Sequence, residues 1–237
     1  MSEWRPRRFW KTATVVTLPE GGFAVHLDER PVRTPAKAAL CLPSADLAAW
    51  IAREWDAQGE LVDPATMPAT RMANSAVDKV AAAPAEVMGE LAGYGESDLI
   101  CYRAESPAEL VDRQAAAWDP LVDWARDTFG ASLAVGTGVM HIPQPAASTR
   151  ALADEVAKMT PWQLAAFHDL VALSGSLVIA LATIQGFAAP DDLWQRSRID
   201  EEWQAELWGK DDEAELVAEN KRRSFLHAAA FGALLWP

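Results

Sequence analysis

The sequence predicts an α+β protein, with a small antiparallel β-rich N-terminal domain over residues 1–65 and a larger helical bundle domain over residues 66–237. Three observations predict it. Phe23, Val25 and Leu27 alternate with Ala24, His26 and Asp28, the period of a half-buried strand. From Ser44 onward the apolar spacing changes to three and four, beginning with Leu47, Ile51 and Trp55. Between the two patterns, Leu61–Thr70 carries Pro64 and Pro68 and reads as a connector.

Taken in order, Thr12–Leu18 reads as a first strand, joined to the next by a hairpin turn at Pro19-Glu20-Gly21-Gly22. Val32–Thr34 and Leu40–Leu42 add two short strands. Ser44 caps the first helix. Ser106-Pro107-Ala108-Glu109 is a capping box that opens a helix through Leu110, Gln114, Trp118, Leu121 and Phe129, with Asp119-Pro120 predicted to kink it. Residues 131–145 form a loop with an extended piece at Val139–Ile142. Thr160-Pro161-Trp162-Gln163 opens one long apolar helix, Pro190 begins another, and a last helix runs from about Asp211 to Leu235.

Leu170–Ala189 holds twenty residues without a charge, enough to span a bilayer. No Lys or Arg lies close on either side, and Ser174, Ser176, Thr183 and Gln185 dilute it, so the segment reads as a buried core helix. The net charge of -13 argues against a general nucleic-acid binder or an anionic membrane surface. Eleven Trp residues suit either a core or a protein interface. Cys41 and Cys101 form no CxxC pair, which fits a reducing compartment, and residues 1–20 hold no secretory signal. Arg5, Arg7 and Arg8 carry the charge of a targeting arm, against which Glu3 and the strand pattern that follows immediately count.

No phosphate-cradling, dinucleotide, HExxH or GxSxG signature occurs. His26, His141, His168 and His227 are too scattered for a zinc site, so no cofactor or metal is expected. His168-Asp169 reads as a locally hydrogen-bonded histidine. The carboxylates of residues 198–208 leave a small-molecule enzyme open as an alternative.

Three segments gather unusual residues. Glu54, Trp55 and Asp56 lie in one; a core Trp with solvated neighbours accounts for them as chemistry alone. Asp98, Tyr102 and Arg103 flank a short apolar run that reads equally as a helix link or a contact surface. In Arg198–Gly209, Ile199, Trp203 and Leu207 form an inward stripe, and Asp200, Gln204 and Trp208 a neighbouring one. Eleven acidic residues against three basic ones fall between Asp191 and Glu219, either a solvated face or an aromatic-anchored contact with a charged rim.

Six segments occur in order: FWK, GFAVHLDERPVRTP, REWDAQ, DLICYRA, WDPLVDW and RIDEEWQAELWG. In these the chain resembles the F-type ATP synthase alpha-subunit assembly chaperones of mitochondria and bacteria, from about Phe9 to Trp208. The resemblance implies a non-catalytic protein that binds free alpha subunit and shields the surface later covered by beta subunit. It implies partner contacts at Glu54, Trp55, Asp56, Asp98, Tyr102, Arg103, Arg198, Asp200, Glu201, Gln204, Glu206 and Trp208. Lacking the transit extension of mitochondrial members, the chain reads as a bacterial, cytoplasmic form.

Overall fold

The computed structural model describes residues 7–209 and 211–236, so Glu3 and Arg5 lie outside the described residues. The α+β reading holds: a three-stranded antiparallel sheet at the N-terminal end precedes ten α-helices among the described residues. The chain packs as two compact units. One comprises residues 7–84, 161–166 and 230–236; the other comprises the described residues of Ala85–Thr160 and Phe167–Ala229. Residues 66–84, assigned by sequence to the helical domain, fall in the same compact unit as the strands, where the helix Pro68–Asp78 packs on the helix Ala45–Asp56.

In the first unit, β1 (Ala13–Thr17) and β2 (Phe23–Leu27) pair in register from Ala13↔Leu27 to Thr17↔Phe23, and β3 (Arg30–Pro31) joins through Leu27↔Arg30. The hairpin turn needs its glycines. Gly22 has φ +84°, and a Cβ there would sit 2.8 Å from the Cys41 sulfur. The two strands expected at Val32–Thr34 and Leu40–Leu42 shrink to single bridges, Arg33↔Ala39 and Phe23↔Leu42. Pro35 has no donor, and Lys37 takes φ +67°, so the chain turns between Thr34 and Ala38 instead of extending.

The helix α1 (Ala45–Asp56) begins where Ser44 Oγ accepts from the Leu47 amide at 3.3 Å. It buries Leu47, Ala48 and Ile51 and packs on β1 and β2. After it comes α2 (Pro68–Asp78).

The second unit contains most of α3 (Pro84–Gly93), a short parallel pair of β4 (Tyr102–Arg103) with β5 (Gly136–Thr137), α4 (Ala108–Phe129) and α5 (Ala146–Ala157). Four differences from the sequence reading occur here. The short strand lies at Gly136–Thr137 and not at Val139–Ile142. The cap residue of α4 is Pro107 and makes no side-chain cap bond, so the expected box with Ser106 does not form. Helix α4 also runs unbroken through Pro120. Pro120 and Ala116, whose carbonyl loses its partner, are both exposed, and water can replace that bond. Finally, the long apolar helix is two helices.

These are α6 (Pro161–Ser174) and α7 (Leu177–Ile184), separated at Gly175 with φ +71°. Ser176 caps α7 by accepting from the Ile179 amide at 2.9 Å. Leu177 to Ala182 are at most 1% exposed, so α7 is the core of the unit, with α4 and α8 (Pro190–Arg196) against it. Among the described residues no helix is long and apolar enough to cross a membrane. The chain ends with α9 (Ile199–Trp208) and α10 (Asp212–Ala233).

Candidate partner-binding surface

Glu54, Trp55 and Asp56 sit near the end of α1 in the first unit, and they do different work. Glu54 is buried, and its carboxylate accepts from the Ala69 and Thr70 amides at 2.7 and 2.8 Å and from the Thr70 hydroxyl at 2.7 Å. The first turn of α2 has no side-chain cap of its own, and Glu54 supplies one from a neighbouring helix. Half-buried Trp55 packs edge-on against Trp10, with ring centroids 5.2 Å apart. Asp56 is exposed, yet its Oδ1 accepts from the Ala13 amide at 2.7 Å and lies 3.8 Å from Arg8. All three hold the sheet and helices together.

The remaining candidates belong to the second unit. Asp98 is fully buried and accepts from the Ile100 amide at 3.2 Å and the Val178 amide at 3.0 Å, anchoring the start of α7. Burial pushes its carboxyl up to about 6, opposed by hydrogen bonds from Ser176 and nearby amides. The same burial, with Asp98 nearby, pushes the Cys101 thiol up to about 12. Tyr102 is half-buried, its hydroxyl 3.5 Å from the Ile142 amide. Arg103 is buried, donates to the Ile100 carbonyl at 3.0 Å, pairs with Asp119 at 2.9 Å and lies over the Trp118 ring.

Helix α4 is the beam on which the 102–104 segment and α9 are both mounted. Gln114, buried, accepts from the Ala104 amide at 2.7 Å and donates to Asp200 Oδ1 at 2.6 Å. Trp118 donates to the Arg196 carbonyl at 2.7 Å. Arg113 makes a two-pronged pair with Glu206 at 2.8 and 2.9 Å and lies 5.1 Å over Trp203. That pair holds the Glu206 carboxyl below its ordinary value. Sequence reasoning missed Arg113 and Gln114 as parts of this site. The available signal was Gln114, a polar residue in the middle of the apolar stripe of α4.

Within α9, Arg198 pairs with Glu201 at 2.8 Å and lies over Trp194. Ile199 is buried and Trp203 half-buried, but Leu207 is 57% exposed, so the expected inward stripe ends before the helix does. Gln204 is exposed and Trp208 is 81% exposed. Glu202 is pushed above the usual carboxylate range, mainly by burial and then by Glu206. The helix thus presents an acidic face ending in two uncovered apolar side chains.

Among the described residues no three His, Cys, Asp or Glu side chains converge to hold a metal ion. A surface cavity of about 420 Å³, lined by Arg198, Asp211, Glu213, Ala214, Val217, Ala218 and Lys221, includes neither Asp200 nor Glu201. His168 lies 3.4 Å from Asp169 and 4.0 Å from Glu90, and the hydrogen bond to Asp169 raises its basicity.

Residues 7–126 match the family model of the ATP12 chaperone protein. The crystal structure of Atp12 from Paracoccus denitrificans is 46% identical and superposes with a TM-score of 0.94, covering 98% of this chain and 99% of that one. The Atu1473 protein of Agrobacterium tumefaciens is 41% identical with a TM-score of 0.89, over 95% of this chain and 85% of that one. Protein atp12, mitochondrial, of Schizosaccharomyces pombe is 23% identical over 236 residues, 94% of this chain and 81% of that protein. This chain belongs to the ATP12 chaperone family.

Proposed function

We propose that this chaperone serves ATP synthase assembly by holding the free alpha subunit of the F-type enzyme and shielding its subunit-contact surface until the catalytic head forms. Membership of the ATP12 chaperone family supports the assembly role. The observation that carries the binding site is Trp208, 81% exposed at the end of an acidic helix. A large aromatic side chain left in water is costly unless a partner covers it, and an acidic rim selects that partner by charge. Arg198, Asp200, Glu201, Gln204, Glu206 and Trp208 form the proposed face. Asp98, Tyr102 and Arg103 support the scaffold behind it, and Glu54, Trp55 and Asp56 stabilise the first unit. Likeness to proteins of two bacteria supports a bacterial, cytoplasmic setting.

Co-purification with separately expressed alpha subunit, with beta subunit as control, tests the reading. A stable complex with alpha and none with beta is expected. Trp208→Ser and Glu201→Lys should each weaken capture of alpha by about tenfold or more, as central aromatic and rim positions do. Their urea midpoints should stay near wild type, since both residues are exposed. Folded chain and folded alpha that fail to associate would remove the proposal.

A further inference from the structure

The three-stranded sheet is closed on one side and open on the other. On the side of β2 away from β1, Phe23 and Leu42 exchange hydrogen bonds at 2.9 and 2.7 Å, and Val32 donates to the Val25 carbonyl at 2.8 Å. Strand β1 is an outer strand. Its ladder to β2 is flanked by bonds from the Asp28 amide to the Thr12 carbonyl at 2.9 Å and from the Leu18 amide to the Gly22 carbonyl at 3.0 Å. The even residues of β1 thus bond to β2, and antiparallel pairing turns the amides and carbonyls of Ala13, Val15 and Thr17 outward.

That outward row is blocked at both ends. Asp56 holds the Ala13 amide at 2.7 Å, and Arg8 donates to the Lys11 carbonyl at 2.9 Å. At the other end Pro19 has no N–H to offer. Between these blocks, the amides and carbonyls of Val15 and Thr17 make no hydrogen bond among the described residues. Two donors and two acceptors at strand spacing stay open, beside a Val15 side chain that is 39% exposed.

Such a row is met by one kind of partner, another extended chain that adds a strand. No charged residue falls between Thr12 and Pro19, so the row fits a strand that is itself uncharged over that stretch. A second copy of this chain is a poor occupant. Each copy carries a net charge of -13, which opposes their approach. Two open residues also bury far less than the roughly 1,000 Å² that a lasting interface needs. An extended segment of a client held through other contacts meets neither obstacle, because tethering raises its effective concentration at the edge.

We propose that the β1 edge at Val15 and Thr17 takes an extended, uncharged segment of the client as a fourth strand of the sheet. Main-chain hydrogen bonds hold the segment, and Val15 gives it an apolar neighbour. Asp56 and Pro19 keep the pairing short, so release stays easy. This rests on the client-holding reading above and names the kind of element held.

Amide hydrogen exchange of the full chain, alone and with alpha subunit, supplies the test. In the chain alone Val15 and Thr17 should exchange fast, while Thr14 and Val16, paired with β2, are protected. In the complex the Val15 and Thr17 amides should slow by about tenfold or more. Val15→Pro removes one outward donor and leaves the ladder to β2 in place. It should weaken capture of alpha by about fivefold, the worth of one hydrogen bond. Val15→Lys puts a charge on the edge without touching the backbone and should weaken capture as well, which covers the case of a proline variant that fails to fold. Val15 and Thr17 amides that stay fast in the complex would overturn the proposal, as would full capture by the folded variants. Wild type that captures no alpha at all removes the client reading, and a peptide of alternating Thr and Val then decides the edge. Protection of Val15 and Thr17 by that peptide, lost with its N-methylated form, upholds the edge; no protection, or equal protection by both forms, overturns it.

Discussion

Glu54→Ala is expected to destabilise the protein by about 3–4 kcal/mol at pH 7, because it strips the first turn of α2 of its acceptor. That turn offers backbone donors that must be met, and Pro68 removes only one of them. The Glu54 carboxylate meets the Ala69 and Thr70 amides and the Thr70 hydroxyl from within a site that is 7% exposed. Alanine leaves all three donors facing a space that water reaches poorly, at about 1–3 kcal/mol for each buried donor left unmet. Part of that is recovered as the turn relaxes. Glu54→Gln keeps one acceptor oxygen and should cost about half as much. Urea unfolding of the three proteins gives the comparison directly. Affinity for alpha subunit, measured on the folded fraction, should be unchanged in both variants; a tenfold loss there would place Glu54 in the interface after all.

The second large effect concerns Asp98, which is fully buried and anchors α7 through the Val178 amide. Asp98→Ala should cost about 3 kcal/mol at pH 7, because the Ile100 and Val178 donors lose their acceptor. Its pH dependence has a defined sign. Burial raises the carboxyl from 3.8 to about 6 in the folded chain, so the native state holds the proton more tightly than the unfolded one. Stability from this group is therefore fully present below about pH 4 and is lost as pH rises through about 6. The change across that window is about 3 kcal/mol, since each tenfold difference in proton affinity between the two states carries ~1.4 kcal/mol. The stability gap between wild type and Asp98→Ala should thus widen as pH falls from 7 to 4. Urea midpoints for both proteins at half-unit intervals of pH supply the test, and a gap independent of pH would contradict it.

Several elements were legible because their causes are local. Alternation at Phe23, Val25 and Leu27 marked β2, Ser44 marked the start of α1, and the uncharged Leu170–Ala189 segment marked core. The features that sequence misread have causes elsewhere in the fold. Gly175 divides the apolar run because it takes a left-handed conformation, yet glycine also tolerates helix, so the letter alone does not choose. Pro120 leaves α4 intact because it faces water, which is a tertiary fact. Glu54 acts on residues 15 and 16 positions away in sequence, and the EWD segment contains nothing that reveals α2 as its target. The acidic face of α9 was visible as a charge run; that Trp208 stays uncovered while Ile199 is buried depends on where the core ends.

A chaperone that shields the subunit-contact surface of alpha must occupy the place that beta subunit later takes. The direct measurement is a titration of beta subunit into a preformed complex of this chain with alpha, followed by size-exclusion chromatography. Alpha is expected to move into alpha–beta assemblies, with free chaperone appearing in matching amount. A stable species holding chaperone, alpha and beta together would contradict the shielding role, because the two partners would then be using different surfaces.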